Sequence, residues 1–181
     1  CFRVPATTPE GKALCESGRF LIVGIDIGQA LPLIVYILYG WAGGRTSPEL
    51  AARTTALLQT VCQEVEQPPD HPQMITGALN PHPALLPHFG YLTENLFWTD
   101  AGAKAQCWDC PSNVPTCHAS DTSPSRIDYV LLNPIAISSV QSFQVRRTED
   151  PPEHCRLELT FQKDITHSPL ANNVVPPSLY D

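Results

Sequence analysis

The sequence predicts a layered α/β domain, and the order of its apolar segments, one amphipathic helix and its composition support this prediction. Two apolar segments precede the helix, and four segments rich in strand-forming residues follow it. The predicted order is two strands, a helix, a strand, a long loop and three strands. With 181 residues, 43% of them hydrophobic, the chain is long enough to bury a core without disulfide bonds.

The first two predicted strands lie in the apolar segment 20–42, in which Asp26 is the only charged residue. A run of this length could cross a bilayer, so a membrane-associated protein is one alternative. Gly28 and Pro32, however, interrupt the run near its middle. We therefore predict two buried strands joined by a turn over residues 26–32, and expect no membrane span.

The helix is predicted to begin after Ser47, whose side chain can cap the first turn. Pro48 suits the first helical position, and Glu49 places negative charge where the helix dipole favours it. Apolar residues then recur at helical spacing from Leu50 to Val65. This pattern predicts a helix with one buried face.

The remaining strands follow from shorter patterns. A strand is predicted from Met74 towards Asn80, and strands are predicted over 126–132, 141–147 and 156–161. Residues 81–125, which are rich in proline, glycine, serine and threonine, are predicted to be mainly loop.

Charge and cysteine content narrow the class of protein. The chain has 18 acidic and 11 basic residues, and its formal net charge of −7 argues against general binding of polyanions. Its 7 cysteines are an odd number, which favours free thiols in an intracellular protein, cytoplasmic or nuclear. A zinc site formed by Cys107, Cys110, Cys117 and His118 is a weaker alternative, because adjacent ligands rarely point at one ion.

Three segments together resemble the endonuclease/exonuclease/phosphatase superfamily. They are Met-Ile-Thr-Gly-Ala-Leu-Asn ending at Asn80, Ser-Arg-Ile-Asp-Tyr-Val-Leu containing Asp128, and Glu153-His154 before the last strand. The resemblance extends from about Arg19 to Lys163. It implies a four-layer α/β sandwich that cleaves phosphate esters of DNA, RNA or small molecules with the help of Mg²⁺.

The resemblance also implies roles for individual residues. Asn80 corresponds to the asparagine of a Gly-Asp-x-Asn motif that positions the phosphate, and Asp128 to the aspartate that orients the catalytic histidine. His154 corresponds to that histidine, and Glu153 replaces an aspartate that can contact the metal. His167, in a Thr-His-Ser-Pro-Leu segment, is a rival for the histidine, but no strand is predicted directly after it.

Two departures from the family pattern point to impaired chemistry. The aspartate of the Gly-Asp-x-Asn motif is Ala78 here, and a methyl group cannot orient an attacking water. The family's earlier motifs, including its main metal-binding glutamate, have no counterpart. Because the chain begins at Cys1, we expect a fragment in which the N-terminal part of the sandwich is missing.

The sequence therefore predicts a weak or inactive magnesium-dependent phosphodiesterase or endonuclease domain, related to retroelement endonucleases. Its expected partner is a nucleic acid or another phosphodiester. The alternative is a non-catalytic binding or scaffold domain that keeps the sandwich. We expect residues 1–18 to be a lead-in, 19–163 the partial domain and 164–181 an irregular tail. Asp100 is expected to be structural.

Overall fold

The computed structural model describes residues 1–66, 70–118, 123–147 and 153–162. The strands are β1 (Phe2–Arg3), β2 (Phe20–Ile25), β3 (Leu33–Tyr39), β4 (Gln73–Ala78), β5 (Thr99–Asp100), β6 (Asp128–Leu132), β7 (Val140–Arg147) and β8 (Cys155–Phe161). The α-helices are α1 (Pro9–Glu16), α2 (Pro48–Val65), α3 (Pro87–Gly90) and α4 (Pro134–Ile137).

Six strands form the first sheet, in the order β1-β2-β3-β4-β6-β5. β3 and β4 are parallel, and α2 makes the crossover between them; the other neighbours are antiparallel. The apolar segment 20–42 therefore contains a pair of adjacent strands, as predicted. Within the described residues, no helix is long and apolar enough to cross a membrane.

Helix α2 covers one face of this sheet. The Ser47 hydroxyl accepts a hydrogen bond from the Leu50 N–H at 3.4 Å, and Pro48 is the first helical residue, so the predicted cap is confirmed. Leu58 and Val61 are fully buried in the same apolar cluster as Leu131 of β6. Burial of this apolar helix face stabilises the packing of α2 on the first sheet.

Strands β7 and β8 form a second, antiparallel sheet on the opposite face. Phe143 of β7 is buried with Val35 and Leu132 of the first sheet, and Trp108 packs against the Phe143 ring. The predicted α/β sandwich is confirmed, and of its four expected layers the described residues form three: the helices, the first sheet and the second sheet.

Residues 1–18 pack onto the first sheet. β1 is the edge strand and pairs with β2, and α1 contacts α2. The buried Glu64 carboxylate accepts hydrogen bonds from the backbone N–H and hydroxyl groups of both Thr7 and Thr8, at 2.5 to 2.8 Å. The segment that we expected to be a lead-in is thus attached to α2 by a buried polar network.

Residues 81–118 contain more regular structure than predicted. Beside α3 and β5, they form 3-10 helices at Pro83–Leu85 and Ala105–Trp108 and a π-helix at Tyr91–Asn95. Proline occupies the first turn of two of these short helices, where its missing N–H has no cost. Such short helices lack the length for a readable apolar period.

The seven cysteines are all free thiols. Cys107 lies in the 3-10 helix Ala105–Trp108, and Cys110 follows that helix. Cys117 is buried and takes part in isolated β-bridges. Within the described residues, no group of three or more His, Cys, Asp or Glu side chains could hold a metal ion. The zinc site considered from the sequence is therefore not formed.

Candidate functional site

The candidate site lies at the edge of the first sheet where β4 ends and β6 begins. Ala78 is the antiparallel partner of Asp128, and the Leu79 N–H donates to the Ile127 carbonyl at 2.8 Å. Asn80 follows with φ +68°, in the left-handed region that asparagine tolerates. This turn brings the end of the Met74–Asn80 segment next to the start of the Ser-Arg-Ile-Asp segment.

Gly77 allows β3 to lie close to this edge. Its φ is +139°, and a Cβ at this position would overlap the Leu38 carbonyl oxygen. The Gly40 N–H donates to the Ala78 carbonyl at 2.7 Å, so the backbone after β3 is attached to the end of β4. A glycine in the motif strand is therefore required by packing.

Asp128 and His154 are brought together from different sheets. The His154 Nδ1 lies 3.0 Å from the Asp128 Oδ2, and the side chains are 39% and 16% exposed, respectively. Alternate residues of a strand lie on the same face of the sheet, so Asp128 shares its face of β6 with Val130 and Leu132, which face the second sheet. His154 directly precedes β8 of that sheet, so the layered packing forms the pair.

The backbone around His154 is fixed by a short connection between the sheets. Cys117 forms isolated β-bridges with both Ser125 and His154. The His118 N–H donates to the Glu153 carbonyl at 2.6 Å, and the Cys155 N–H donates to the Thr116 carbonyl at 2.7 Å. These bonds hold the His154 backbone beside the start of β6, so that its side chain reaches Asp128.

Thr116 is a positioning residue that the sequence analysis missed. It is 1% exposed, and its hydroxyl accepts hydrogen bonds from the Ile127 N–H at 3.1 Å and the Asp128 N–H at 2.9 Å. It thus fixes the backbone at the start of β6. A threonine in a loop rich in turn-forming residues has no pattern that would have identified it.

Arg126 is held on several sides. Its guanidinium forms an ion pair with Asp100, donates to the Asn113 Oδ1 at 2.8 Å and lies 4.6 Å from the centroid of the Tyr129 ring. The Tyr129 hydroxyl donates to the Arg126 carbonyl at 2.8 Å, and burial raises the pKa of Tyr129 to about 12. Asp100, expected to be structural, also accepts two backbone N–H groups in its own turn.

A cavity of about 670 Å³ opens beside this edge. Its wall is formed by Arg45, Asn80, His82, Pro83, Leu85, Phe89, Asp100, Asn113, Ser125, Arg126 and Tyr129. Polar groups thus face an apolar surface, an arrangement typical of small-ligand sites. The cavity shares Asn80 with the predicted site, whereas Asp128 and His154 are not part of this wall.

Glu153, the predicted metal ligand, is exposed on the segment before β8. Because no group of three or more acidic, His or Cys side chains is close enough to bind an ion within the described residues, the donors present do not make a complete magnesium site. Lys163, His167 and residues 164–181 lie outside the described residues.

The α/β sandwich of this chain is the fold that the resemblance to the endonuclease/exonuclease/phosphatase superfamily implies, and solved structures share it.

Two solved structures share this fold. The 3′ phosphatase NExo from Neisseria, bound to a product DNA hairpin, matches 88% of this chain and 72% of its own, with 17% identity and a TM-score of 0.61. The 3′-5′ exonuclease NExo from Neisseria meningitidis matches 80% of this chain and 65% of its own, with 15% identity and a TM-score of 0.60. No family model and no curated protein matches the sequence.

Proposed function

We propose that this chain is a nuclease-type domain that binds nucleic acid at the Asp128–His154 edge and hydrolyses phosphoesters weakly or not at all. The observation that supports this proposal is the 3.0 Å contact between His154 and Asp128, directly beside Ala78. The histidine and its carboxylate are present, but the neighbouring strand position has only a methyl group.

The proposed chemistry assigns each group a task. The Asp128 carboxylate contacts the Nδ1 side of the imidazole and orients the ring, which leaves Nε2 free to bind an oxygen of the phosphate. Asn80, whose side chain has no hydrogen-bond partner within the described residues, supplies an amide for a second phosphate oxygen. Charge on the phosphoryl group in the transition state is stabilised by these two donors.

The missing group is one that orients the attacking water. Ala78 cannot accept a proton or a hydrogen bond, so water at this edge is not directed towards phosphorus. Glu153 is proposed as a single contact to Mg²⁺, which is too few ligands to hold the ion firmly. The alternative is a domain that uses the same surface for binding alone.

The test is cleavage of a DNA hairpin with a 3′ phosphate, single-stranded DNA and abasic-site duplex, with and without Mg²⁺. We expect the natural chain to be close to background, Ala78→Asp to cleave, and Ala78→Asp with His154→Ala to lose that cleavage by about 10²-fold or more. Ala13→Asp, on an exposed position of α1 away from the cavity beside Asn80, and His71→Ala are matched controls, and circular dichroism checks folding.

Two results would contradict the proposal. Strong cleavage by the natural chain that His154→Ala abolishes would mean that hydrolysis is not impaired. If a folded Ala78→Asp variant cleaves no substrate, and nucleic-acid binding is unaffected by His154→Ala and by Mg²⁺, the binding-only alternative is established.

A further inference from the structure

We propose that Arg45 binds a second phosphate of the substrate, so that the site takes a polynucleotide strand in preference to a small phosphate ester. This inference rests on the proposed function and names the substrate class of the same site.

Arg45 lies between two cavities. One is the cavity of about 670 Å³ beside Asn80, and a second, of about 450 Å³, is lined by residues 44–48 and the first turns of α2. Arg45 and Leu85 contribute to the walls of both. Either volume would suffice for a small ligand, and two cavities that share a wall at Arg45 suit successive units of a chain molecule.

The charge of Arg45 is available to a ligand, whereas that of Arg126 is not. Arg126 is paired with Asp100 and is only 13% exposed at its side chain. The His82 Nδ1 accepts a hydrogen bond from the Ala84 N–H at 3.2 Å, so this nitrogen is already occupied within its own turn. Arg45 is exposed and, within the described residues, has no acidic partner.

The loop that presents Arg45 is fixed to the candidate site. A Cβ on Gly44 would lie 2.7 Å from the Pro81 Cγ, which shows how closely this loop packs on the residue after Asn80. The Thr46 and Ser47 N–H groups both donate to the Gly43 carbonyl at 3.0 Å, and Gly43 has φ +84°. The guanidinium therefore extends from a defined turn beside the groove.

A single exposed arginine matters for nucleic-acid affinity in this acidic protein. Because the whole chain carries a formal charge of −7, long-range attraction cannot supply affinity for nucleic acid. Binding must come from individual contacts, and each arginine that neutralises a phosphate releases counterions. Loss of Arg45 should therefore change both the affinity and its dependence on salt.

The experiment measures anisotropy of a fluorescein-labelled single-stranded 12-mer DNA between 50 and 200 mM salt. We expect Arg45→Ala to weaken binding about tenfold or more at low salt and to lower the slope of log K against log salt by about 0.7. Arg45→Lys should keep the slope. Arg53→Ala, which removes an exposed arginine paired with Glu49 at 2.8 Å, should leave both values unchanged.

Competition with thymidine 3′-monophosphate tests the substrate class, since a ligand with one phosphate should lose nothing in Arg45→Ala. If the natural chain binds DNA and Arg45→Ala keeps its slope, the role of Arg45 is refuted while the proposed function stands. If no variant binds DNA, both proposals fail. If the monophosphate and the 12-mer lose affinity equally, Arg45 binds the first phosphate and the polynucleotide preference is wrong.

Discussion

A carboxylate introduced at position 78 should repel Asp128. The two positions are direct antiparallel partners, so their Cβ atoms lie about 5 Å apart and their side chains share one face. Two carboxylates about 6 Å apart at an effective dielectric constant of about 20 repel by about 3 kcal/mol. Ala78→Asp should lower the free energy of unfolding by about that amount at pH 7, beyond any steric cost.

Steric and electrostatic costs can be separated with matched variants. Ala78 is 8% exposed, so any larger side chain meets its neighbours, and Ala78→Asn reports that steric cost without the charge. Asp128→Asn in the Ala78→Asp background should recover most of the electrostatic loss. The measurement is urea denaturation of Ala78→Asn and of the four chains of the double-mutant cycle, which are the natural chain, Ala78→Asp, Asp128→Asn and the double variant.

The result that would refute this reasoning is specific. If Ala78→Asp and Ala78→Asn were equally stable at pH 7, and the cycle gave a coupling energy near zero, the two side chains would not face each other. The candidate site would then lack the juxtaposition on which its chemistry depends.

Further predictions concern the supports of the fold and site. Burial acts to raise the pKa of Glu64, but hydrogen bonds from Thr8 and Thr7 outweigh it and lower the pKa below 4.5, so Glu64 contributes stability above pH 4.5 that is lost as pH falls through the folded pKa. Glu64→Gln should weaken the fall in the free energy of unfolding at acid pH and speed hydrogen exchange in α1. An unchanged pH dependence would contradict the stabilising role of Glu64. Burial, reinforced by Glu66, raises the pKa of Cys62 to about 12, so Ellman's reagent at pH 8 should label the exposed Cys1 and Cys107 well before Cys62. Thr116→Val should cost about 2 kcal/mol by leaving two backbone N–H groups without an acceptor, whereas Thr116→Ser should cost much less; equal losses would show that only the methyl group matters.

The parts of the fold that were predictable depend on local patterns. Strands β2 and β3 have continuous β-branched runs, and α2 combines a serine cap with an apolar period, so their sequences define them without knowledge of their neighbours. Helix α1 lacks such a period and is held through Glu64, a contact between residues more than fifty positions apart. Local sequence contains no trace of that contact.

Some parts of the candidate site could also be predicted from the sequence, whereas others depend on tertiary contacts. The contact between Asp128 and His154 was expected from a family resemblance, and spacing alone would not have placed residues 26 positions apart within 3.0 Å. The strand predicted from Arg126 begins only at Asp128, where the Ile127 and Asp128 N–H groups both donate to the Thr116 hydroxyl. Arg45 belongs to no motif, and only the tertiary structure shows which cavities it borders.

The origin of His154 and Asp128 in separate sheets makes their contact a measure of complete folding. A partly folded molecule could retain the six-stranded sheet and its helices while the β7–β8 hairpin is detached, and its secondary structure would be almost unchanged. The imidazole and the carboxylate would nevertheless be apart. The environment of the His154 ring protons in NMR spectra should therefore change before circular dichroism does, and any chemistry at this edge is restricted to molecules in which both sheets have docked.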